Sequence, residues 1–118
     1  MLINLSNHPS VNWSKEQRDA AILYYVSIED LAFPYIAPDA TTEDVSELAK
    51  DYFQKIDPSV SAVHLMGEMT FVCALVGLLQ KAGITVVCST TQRTVLEELD
   101  GKKTAQFRFV QFRAYPLA

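Results

Sequence analysis

The stretch that decides the fold is residues 61–93, SAVHLMGEMTFVCALVGLLQKAGITVVCSTTQR. Its pattern predicts a strand, a tight polar turn, a buried helix and a second strand. Residues 84–88 form the near-continuous apolar run that a buried parallel strand requires. Residues 71–79 are apolar all round, which predicts a helix covered on both faces. Gly83 stands where a helix ends in a left-handed turn, so we expect a βαβ unit.

Two polar clusters follow the carboxyl ends of these two strands. They are Gly-Glu-Met-Thr at residues 67–70 and Ser-Thr-Thr-Gln-Arg at residues 89–93. In open α/β sheets, ligands bind at the edge formed by the carboxyl ends of the strands. We therefore expect the functional site of the chain at this edge.

Length and composition predict one domain that spans residues 1–118. With 49% hydrophobic residues the chain can bury a sizeable core. We expect no signal peptide, and no apolar run is long enough to cross a membrane. The two cysteines, Cys73 and Cys88, lie in apolar runs without CxxC spacing. They predict buried, reduced thiols and a cytoplasmic protein.

The distribution of charge is more informative than the net charge of −4. That net charge argues against a protein that coats long nucleic acids. Residues 1–80 carry four basic and eleven acidic side chains, net −7, whereas residues 81–118 carry six basic and three acidic, net +3. The C-terminal third is therefore the part expected to face an anion, although Lys102 and Lys103 are better explained as solvated side chains.

The remaining segments complete an alternation of strands and helices. We expect strands at 2–5, 28–33 and 104–114, a helix from Ser14 to about Tyr25 with Gln17 in a capping box, a helix from Thr41 or Thr42 to Ile56, and a short helix at 91–99. This order predicts an α/β three-layer sandwich with a mainly parallel five-stranded sheet and helices on both faces.

The predicted strand order is about 2-1-3-4-5, which places the first strand beside the third at a topological switch point. The side chains expected in the core are Val63, Leu75, Leu78, Val86 and Val87. If the first and third strands were apart, the argument for a site at this edge would fail.

His8 follows the first strand and could act as a general acid or base near neutral pH. The alternative is a surface histidine that is hydrogen-bonded within its own loop. Ser6, Asn7 and Ser10 could bind phosphate or ribose, or hold the turn. His64 lies inside the third strand, and we expect a core histidine whose hydrogen bonds are satisfied there.

The turn at residues 67–70 combines a glycine with the start of a helix. Gly67 allows the backbone to approach a ligand, and Thr70 with the free N–H groups could bind an anion, unless Thr70 is only the helix N-cap. Glu68 opposes an incoming phosphate, so it could instead contact a ribose or adenine, act as a base, or accept from a helix N–H. Met69 is counted with this ligand-binding turn.

Arg93 stands four residues beyond the buried strand, after the hydroxyl-bearing Ser89, Thr90 and Thr91. An arginine suits bidentate phosphate binding, and the three hydroxyls are candidate ligand contacts. No close cluster of His, Asp or Glu has the spacing of a metal site, so we expect no metal and no cofactor. The absence of GxGxxG and Walker sequences removes support for those dinucleotide enzymes and ATPases.

Three segments resemble small stand-alone CRISPR-associated proteins related to CARF domains. They are Leu-Ile-Asn-Leu-Ser-Asn-His-Pro-Ser at residues 2–10, Val-His-Leu-Met-Gly-Glu-Met-Thr-Phe at 63–71, and Phe-Arg-Phe-Val-Gln-Phe-Arg-Ala-Tyr at 107–115. CARF domains are Rossmann-like sensors of cyclic oligoadenylates in type III CRISPR systems. Glu68 departs from the small or basic residues often found in that turn of the family.

The resemblance implies a homodimer that binds a ring-shaped RNA messenger across its two-fold axis. Some relatives, the ring nucleases, cleave the ring without metal by orienting a ribose 2′-hydroxyl for in-line attack. His8, Arg93 and Glu68 are then the catalytic candidates. Two alternatives stay open: a non-catalytic dimeric module that senses a ligand or binds a protein, and a small α/β enzyme that acts on another phosphorylated ligand.

Overall fold

A computed structural model describes residues 1–117 of the chain. Over that range there are five strands and three α-helices. The strands are β1 (Leu2–Ser6), β2 (Ile28–Asp30), β3 (Ala62–Met66), β4 (Val86–Glu97) and β5 (Lys103–Ala114). The helices are α1 (Lys15–Tyr25), α2 (Thr42–Gln54) and α3 (Met69–Lys81), with a 3-10 turn at Ser10–Asn12 before α1.

The sheet has the order β2-β1-β3-β4-β5, so the predicted order and the neighbouring positions of β1 and β3 are confirmed. The first four strands are parallel, but β5 runs antiparallel to β4 along almost the whole of β4. The sheet is therefore mixed, and the prediction of a mainly parallel sheet is wrong. The physical reason is the direct hairpin between β4 and β5, which can join only antiparallel strands.

Residues 91–108 form the outer part of this hairpin, which we call the arm. Every residue of the arm is exposed, and Gly101 turns the chain with a φ of 82°. The radius of gyration is 16.1 Å, against about 13.5 Å for a compact domain of this length. The helix predicted at residues 91–99 is wrong, because Thr94 and Val95 pair with Gln106 and Ala105 and this pairing overrides local helix propensity.

The two faces of the sheet bury separate apolar clusters. On one face, α2 and α3 cover alternate residues of β1 and β3, including Leu5, Val63 and Leu65. On the other face, α1 covers a smaller cluster that contains Leu2, Trp13, Ala62 and Val87. The helices thus lie on both faces, as expected. Of the predicted core residues, Val63, Leu75, Val86 and Val87 are buried and Leu78 is half-buried.

Both amphipathic helices begin at the expected caps. The Ser14 hydroxyl accepts from the Gln17 N–H at the start of α1. Thr41 and Asp44 form a reciprocal capping box at the start of α2, which satisfies two N–H groups that the helix leaves free. These caps fix where α1 begins, and hence where Trp13 meets the sheet.

The outward side of α3 is uncovered in the described part of the chain. Met69, Cys73 and Gly77 follow one another at four-residue spacing and are all exposed. The prediction that α3 is covered on both faces is therefore wrong, and so is the prediction of a buried thiol at Cys73, whereas Cys88 is half-buried. None of the helices formed by residues 1–117 is long and apolar enough to cross a membrane.

Candidate functional site

A cavity of about 690 Å³ lies on the α1 face at the carboxyl ends of β1, β3 and β4. We call it the edge pocket. Its walls come from the loop after β1, the start of α1, the ends of β3 and β4, and the base of the arm. It is lined by Ser6, Asn7, His8, Asn12, Trp13, Ser14, Gln17, His64, Met66, Gly67, Ser89, Thr91, Phe107 and Phe109.

The loop after β1 is held by the carbonyl of His8. That oxygen accepts from Asn4 Nδ2 at 2.9 Å and from Trp13 Nε1 at 3.0 Å, and Ser6 Oγ lies 3.2 Å away. The contacts hold the backbone of the loop while the His8 side chain stays exposed at the pocket. His8 is therefore placed where a ligand could reach its imidazole.

Three polar side chains lie side by side across the middle of the parallel strands. Asn4 of β1 is in register with Asp30 of β2 and with His64 of β3. Asn4 Nδ2 donates to Asp30 Oδ1 at 2.8 Å, and Asn4 Oδ1 lies 2.9 Å from His64 Nδ1. We call Asp30, Asn4 and His64 the polar row. Asn4 and His64 are buried, and a buried polar group is stable only when it is hydrogen-bonded.

The outer end of the polar row is an ionised carboxylate. Asp30 accepts from the Ser10 N–H at 3.1 Å and from the Ser10 hydroxyl at 2.9 Å. Burial opposes its ionisation, but the hydrogen bonds from Asn4 and Ser10 outweigh burial and hold the pKa of Asp30 below its ordinary value. Ser10 thus ties the loop to β2 and is not part of the lining of the edge pocket.

The inner end of the polar row, His64, lines the edge pocket with only 2% of its surface exposed. Burial and, to a smaller extent, the charge of nearby His8 together lower the pKa of His64 to about 4. The indole of Trp13 packs edge-on against the imidazole with ring centroids 5.1 Å apart. Nε2 has no hydrogen-bond partner within residues 1–117, so the prediction of a fully satisfied core histidine is wrong.

The polar side chains of the turn after β3 are hydrogen-bonded at the start of the helix that follows, α3. Glu68 is the N-cap of α3, and its carboxylate accepts from the N–H groups of Thr70 at 3.0 Å and Phe71 at 2.9 Å. The Thr70 hydroxyl also donates to it at 2.6 Å. The hydroxyl bond and the two N–H bonds hold the pKa of Glu68 below its ordinary value. The carboxylate therefore occupies the position that an anion would take at this helix start.

Gly67 is required by packing within the domain. A Cβ at this position would overlap the ring of Phe33, which in turn packs edge-on against Phe71 with centroids 5.2 Å apart. Gly67 also lines the edge pocket. Met69 lies on the far side and lines a second, largely apolar cavity beside α3.

The residues after β3 and β4 divide between the pocket and the arm. The Ser89 hydroxyl lies 3.1 Å from Met66 Sδ, and both residues line the edge pocket with Thr91. Thr90 is not part of the pocket lining, and its hydroxyl donates to the Gln111 carbonyl at 3.3 Å. Arg93 is exposed on the arm, where it pairs with Phe107. Directly paired residues share a face, so Arg93 lies next to the pocket mouth beyond Phe107.

The structure thus brings together six of the predicted site residues: Ser6, Asn7, His8, Gly67, Ser89 and Thr91. The lining does not include Ser10, Glu68, Met69, Thr70, Thr90 or Arg93. Sequence reasoning missed the polar row and the aromatic lining of Trp13, Phe107 and Phe109. A signal was present for two of its members, since Asn4 and His64 are polar residues inside short, largely apolar strands.

Residues 1–117 contain no group of three His, Cys, Asp or Glu side chains that could hold a metal ion.

A search of curated proteins gave no match to the chain. A comparison with protein families matched residues 1–113 to the "Uncharacterized protein MJ1673 family". The match includes every residue of the edge pocket and the polar row. The chain therefore belongs to this uncharacterized protein MJ1673 family.

Proposed function

We propose that the edge pocket binds a cyclic oligoadenylate and that the protein cleaves it as a metal-independent ring nuclease, which switches the signal off. The observation that supports this best is the composition of one pocket. Aromatic rings from Trp13, Phe107 and Phe109 can stack on bases, and the hydroxyls of Ser6 and Ser89 can bond ribose or phosphate. The pocket also lies at the switch point, where α/β sheets bind nucleotides.

The size of the pocket favours a shared ligand. A volume of about 690 Å³ is typical of a site for one drug-sized molecule, and a ring of four or six nucleotides is larger. One copy of the chain would then hold part of the ring, and a second copy related by two-fold symmetry would hold the rest. The proposed assembly is a homodimer.

The arm is the surface that we assign to this dimer. It exposes apolar side chains and carries charges of both signs, as a surface that contacts its own copy requires. The exposed apolar residues are Val95, Leu96, Leu99 and Phe107, and the charged ones include Arg93, Glu97, Glu98, Lys102 and Lys103. Phe107 belongs both to the arm and to the edge pocket, which connects dimer formation with the site.

Val95→Asp tests the dimer against a matched control, Ile22→Asp on α1. The two side chains are 51% and 54% exposed, so neither substitution buries a charge within one chain. We expect light scattering to show a dimer for the wild type and for Ile22→Asp, and a monomer for Val95→Asp. A wild-type monomer at micromolar concentration, with and without the ring, would overturn the dimer.

Within the pocket, the proposed reaction is attack of a ribose 2′-hydroxyl on the adjacent phosphate. His8 stands at the pocket and is assigned to the leaving oxygen, while Arg93 is assigned to a phosphate at the mouth. Glu68 has no catalytic role in this proposal, since its carboxylate is hydrogen-bonded to N–H groups at the start of α3. The resemblance to CARF-related proteins is part of the proposal and agrees with the position of the pocket.

One incubation tests the function. The chain is mixed with cyclic tetra-adenylate or hexa-adenylate in the presence of a chelator, and the products are separated by chromatography. Cleavage supports the ring nuclease, and binding of the ring without cleavage supports the non-catalytic sensor. If neither ring is bound or cleaved, the proposal is contradicted, and another phosphorylated ligand or a protein partner is favoured.

Two variants sharpen this experiment. Arg93→Ala removes a charge-assisted phosphate contact and should weaken binding about ten- to a hundred-fold. Arg113→Ala is the matched control, because Arg113 pairs with Cys88 on the opposite face of the sheet from Ser89. His8→Ala should slow cleavage by about 10²–10⁴-fold with a smaller effect on binding.

A further inference from the structure

The imidazole of His64 lies in the wall of the edge pocket and has one nitrogen without a hydrogen-bond partner among residues 1–117. The side chain lines the pocket, and Nδ1 lies 2.9 Å from Asn4 Oδ1. Nε2 is buried and has no hydrogen-bond partner in the part of the chain that the structure describes. A buried nitrogen without a partner is costly for the fold, so a role in binding explains its retention.

The orientation of Asn4 decides which nitrogen of His64 carries the proton. Asn4 Nδ2 lies 2.8 Å from Asp30 Oδ1 and 2.9 Å from the His8 carbonyl, and both are acceptors. The amide must therefore direct its two hydrogens towards them and turn Oδ1 to His64. Since Oδ1 can only accept, His64 Nδ1 must be the donor. In the neutral ring, Nε2 then carries a lone pair.

Two aromatic rings keep the imidazole in this position. The centroid of Trp13 lies 5.1 Å from that of His64, and the centroid of Phe112 lies 5.6 Å from it, both edge-on. Burial among these rings lowers the pKa of His64, so the ring is neutral at pH 7. A bound phosphate would raise that pKa again, because a nearby negative charge favours the protonated form.

We propose that Nε2 of His64 accepts the hydrogen bond of a ligand hydroxyl, and that this hydroxyl is the attacking 2′-hydroxyl of the ring. The identity of the hydroxyl rests on the proposed function. The 2′-oxygen forms a bond to phosphorus, the bond from phosphorus to the 5′-oxygen breaks, and the products are a 2′,3′-cyclic phosphate and a 5′-hydroxyl. The proton of the 2′-hydroxyl passes to Nε2, and the 5′-oxygen takes one from protonated His8.

Asn4 and Asp30 are positioning residues in this arrangement. Asp30 fixes the amide of Asn4, and Asn4 fixes the tautomer of His64. The role of His64 differs from a purely structural one in a measurable way, because only Nε2 meets the ligand. A substitution that keeps the Nδ1 bond and removes Nε2 separates the two roles.

The first test needs no ligand. Long-range ¹H–¹⁵N correlation spectra of the full chain at pH 7 should show His64 protonated at Nδ1 and unprotonated at Nε2. Asn12→Ala, at an exposed residue of the pocket lining, should show the same tautomer. A proton on Nε2, or a charged imidazole at pH 7, would overturn the proposal whatever the ligand is.

The second test uses His64→Asn, whose side-chain amide can replace Nδ1 as donor to Asn4 and which has no atom at Nε2. Its melting temperature should stay near that of the wild type, while cleavage of cyclic tetra-adenylate falls about 10²–10⁴-fold. The 2′-deoxy ring, which lacks the hydroxyl, should bind both proteins equally, whereas the ribose ring should bind the wild type more tightly.

The outcomes separate the two proposals. Wild-type cleavage by a well-folded His64→Asn variant, or an equal loss of affinity for both rings, would overturn the role of Nε2 and leave the proposed function standing. A wild-type chain that neither binds nor cleaves either ring would overturn the proposed function, and the spectra would then decide the acceptor state of His64 by themselves.

Discussion

Two polar segments at the same edge of the sheet follow buried parallel strands, yet they present opposite chemistry. In the loop after β1, the His8 carbonyl accepts from Asn4 and Trp13, and Asn4 holds His64 so that its buried Nε2 has no hydrogen-bond partner in the described range. The turn after β3 fills the start of α3 with its own carboxylate, Glu68. A helix N-terminus that the chain caps with its own carboxylate offers no anion site, whereas the loop after β1 leaves one buried polar atom without a partner in the described residues.

Asn4→Leu breaks the first of these segments and should have the largest effect. It removes the Asn4 Oδ1 that accepts from the Nδ1–H of His64 and from the hydroxyl of Ser6, both of which are buried, and each unsatisfied buried group costs about 1–3 kcal/mol. We expect the free energy of unfolding, measured in urea, to fall by about 3 kcal/mol. Asn12→Ala, at an exposed residue of the same pocket, should change it by less than about 0.5 kcal/mol. Equal values for the two variants would contradict the account of the row.

The pH dependence of stability tests the inner end of the row. The pKa of His64 is lowered from 6.5 to about 4 in the folded chain. Below pH 6.5 the unfolded chain binds a proton that the folded chain does not, so stability falls between pH 6.5 and about 4. The loss attributable to His64 approaches about 3 kcal/mol. Urea midpoints of the wild type and of His64→Asn, measured from pH 4 to 8, isolate the contribution of His64 to this loss. Parallel pH profiles for the two proteins would refute that contribution.

Gly67→Ala tests the close packing of Gly67 against Phe33 at the wall of the edge pocket. The added methyl overlaps the ring of Phe33, and overpacking of this kind costs about 1–3 kcal/mol. Gly77→Ala in α3 is the control, because a Cβ there meets no neighbouring atom. The control should gain about 0.5–1 kcal/mol from helix propensity. Thermal unfolding of both variants measures the two effects, and a gain at Gly67 would show that the contact with Phe33 is not tight.

Glu68→Gln breaks the second segment and should have the smallest effect. The pKa of Glu68 is lowered from 4.5, so its carboxylate stabilises the fold above pH 4.5. That stabilisation is lost as the pH falls through the lowered pKa. We expect a reduced melting temperature for Glu68→Gln at pH 7 and a difference from the wild type that shrinks in acid. Glu43→Gln, in the first turn of α2, should change less. A constant difference from pH 7 to pH 3 would exclude the carboxylate as the cause.

The strand order, the caps of α1 and α2 and the place of the pocket could be predicted from the sequence, because periodicity and capping residues are local signals. The arm could not, because residues 91–99 combine helix formers with β-branched residues and only pairing with β5 decides between them. The position of His64 inside the third strand predicts a core histidine. Its role depends on register across β1 and β3, which a strand pattern does not contain.

The measurement that tests the central claim most directly uses Trp13, the only tryptophan of the chain, which lines the edge pocket against His64. Cyclic tetra-adenylate is titrated into the His8→Ala variant, whose cleavage of the ring should be slow, while indole fluorescence is recorded. We expect a saturable change in fluorescence that follows ring binding measured by equilibrium dialysis. Binding of the ring without any change at Trp13, or no binding of the tetra- or hexa-adenylate ring, would contradict it.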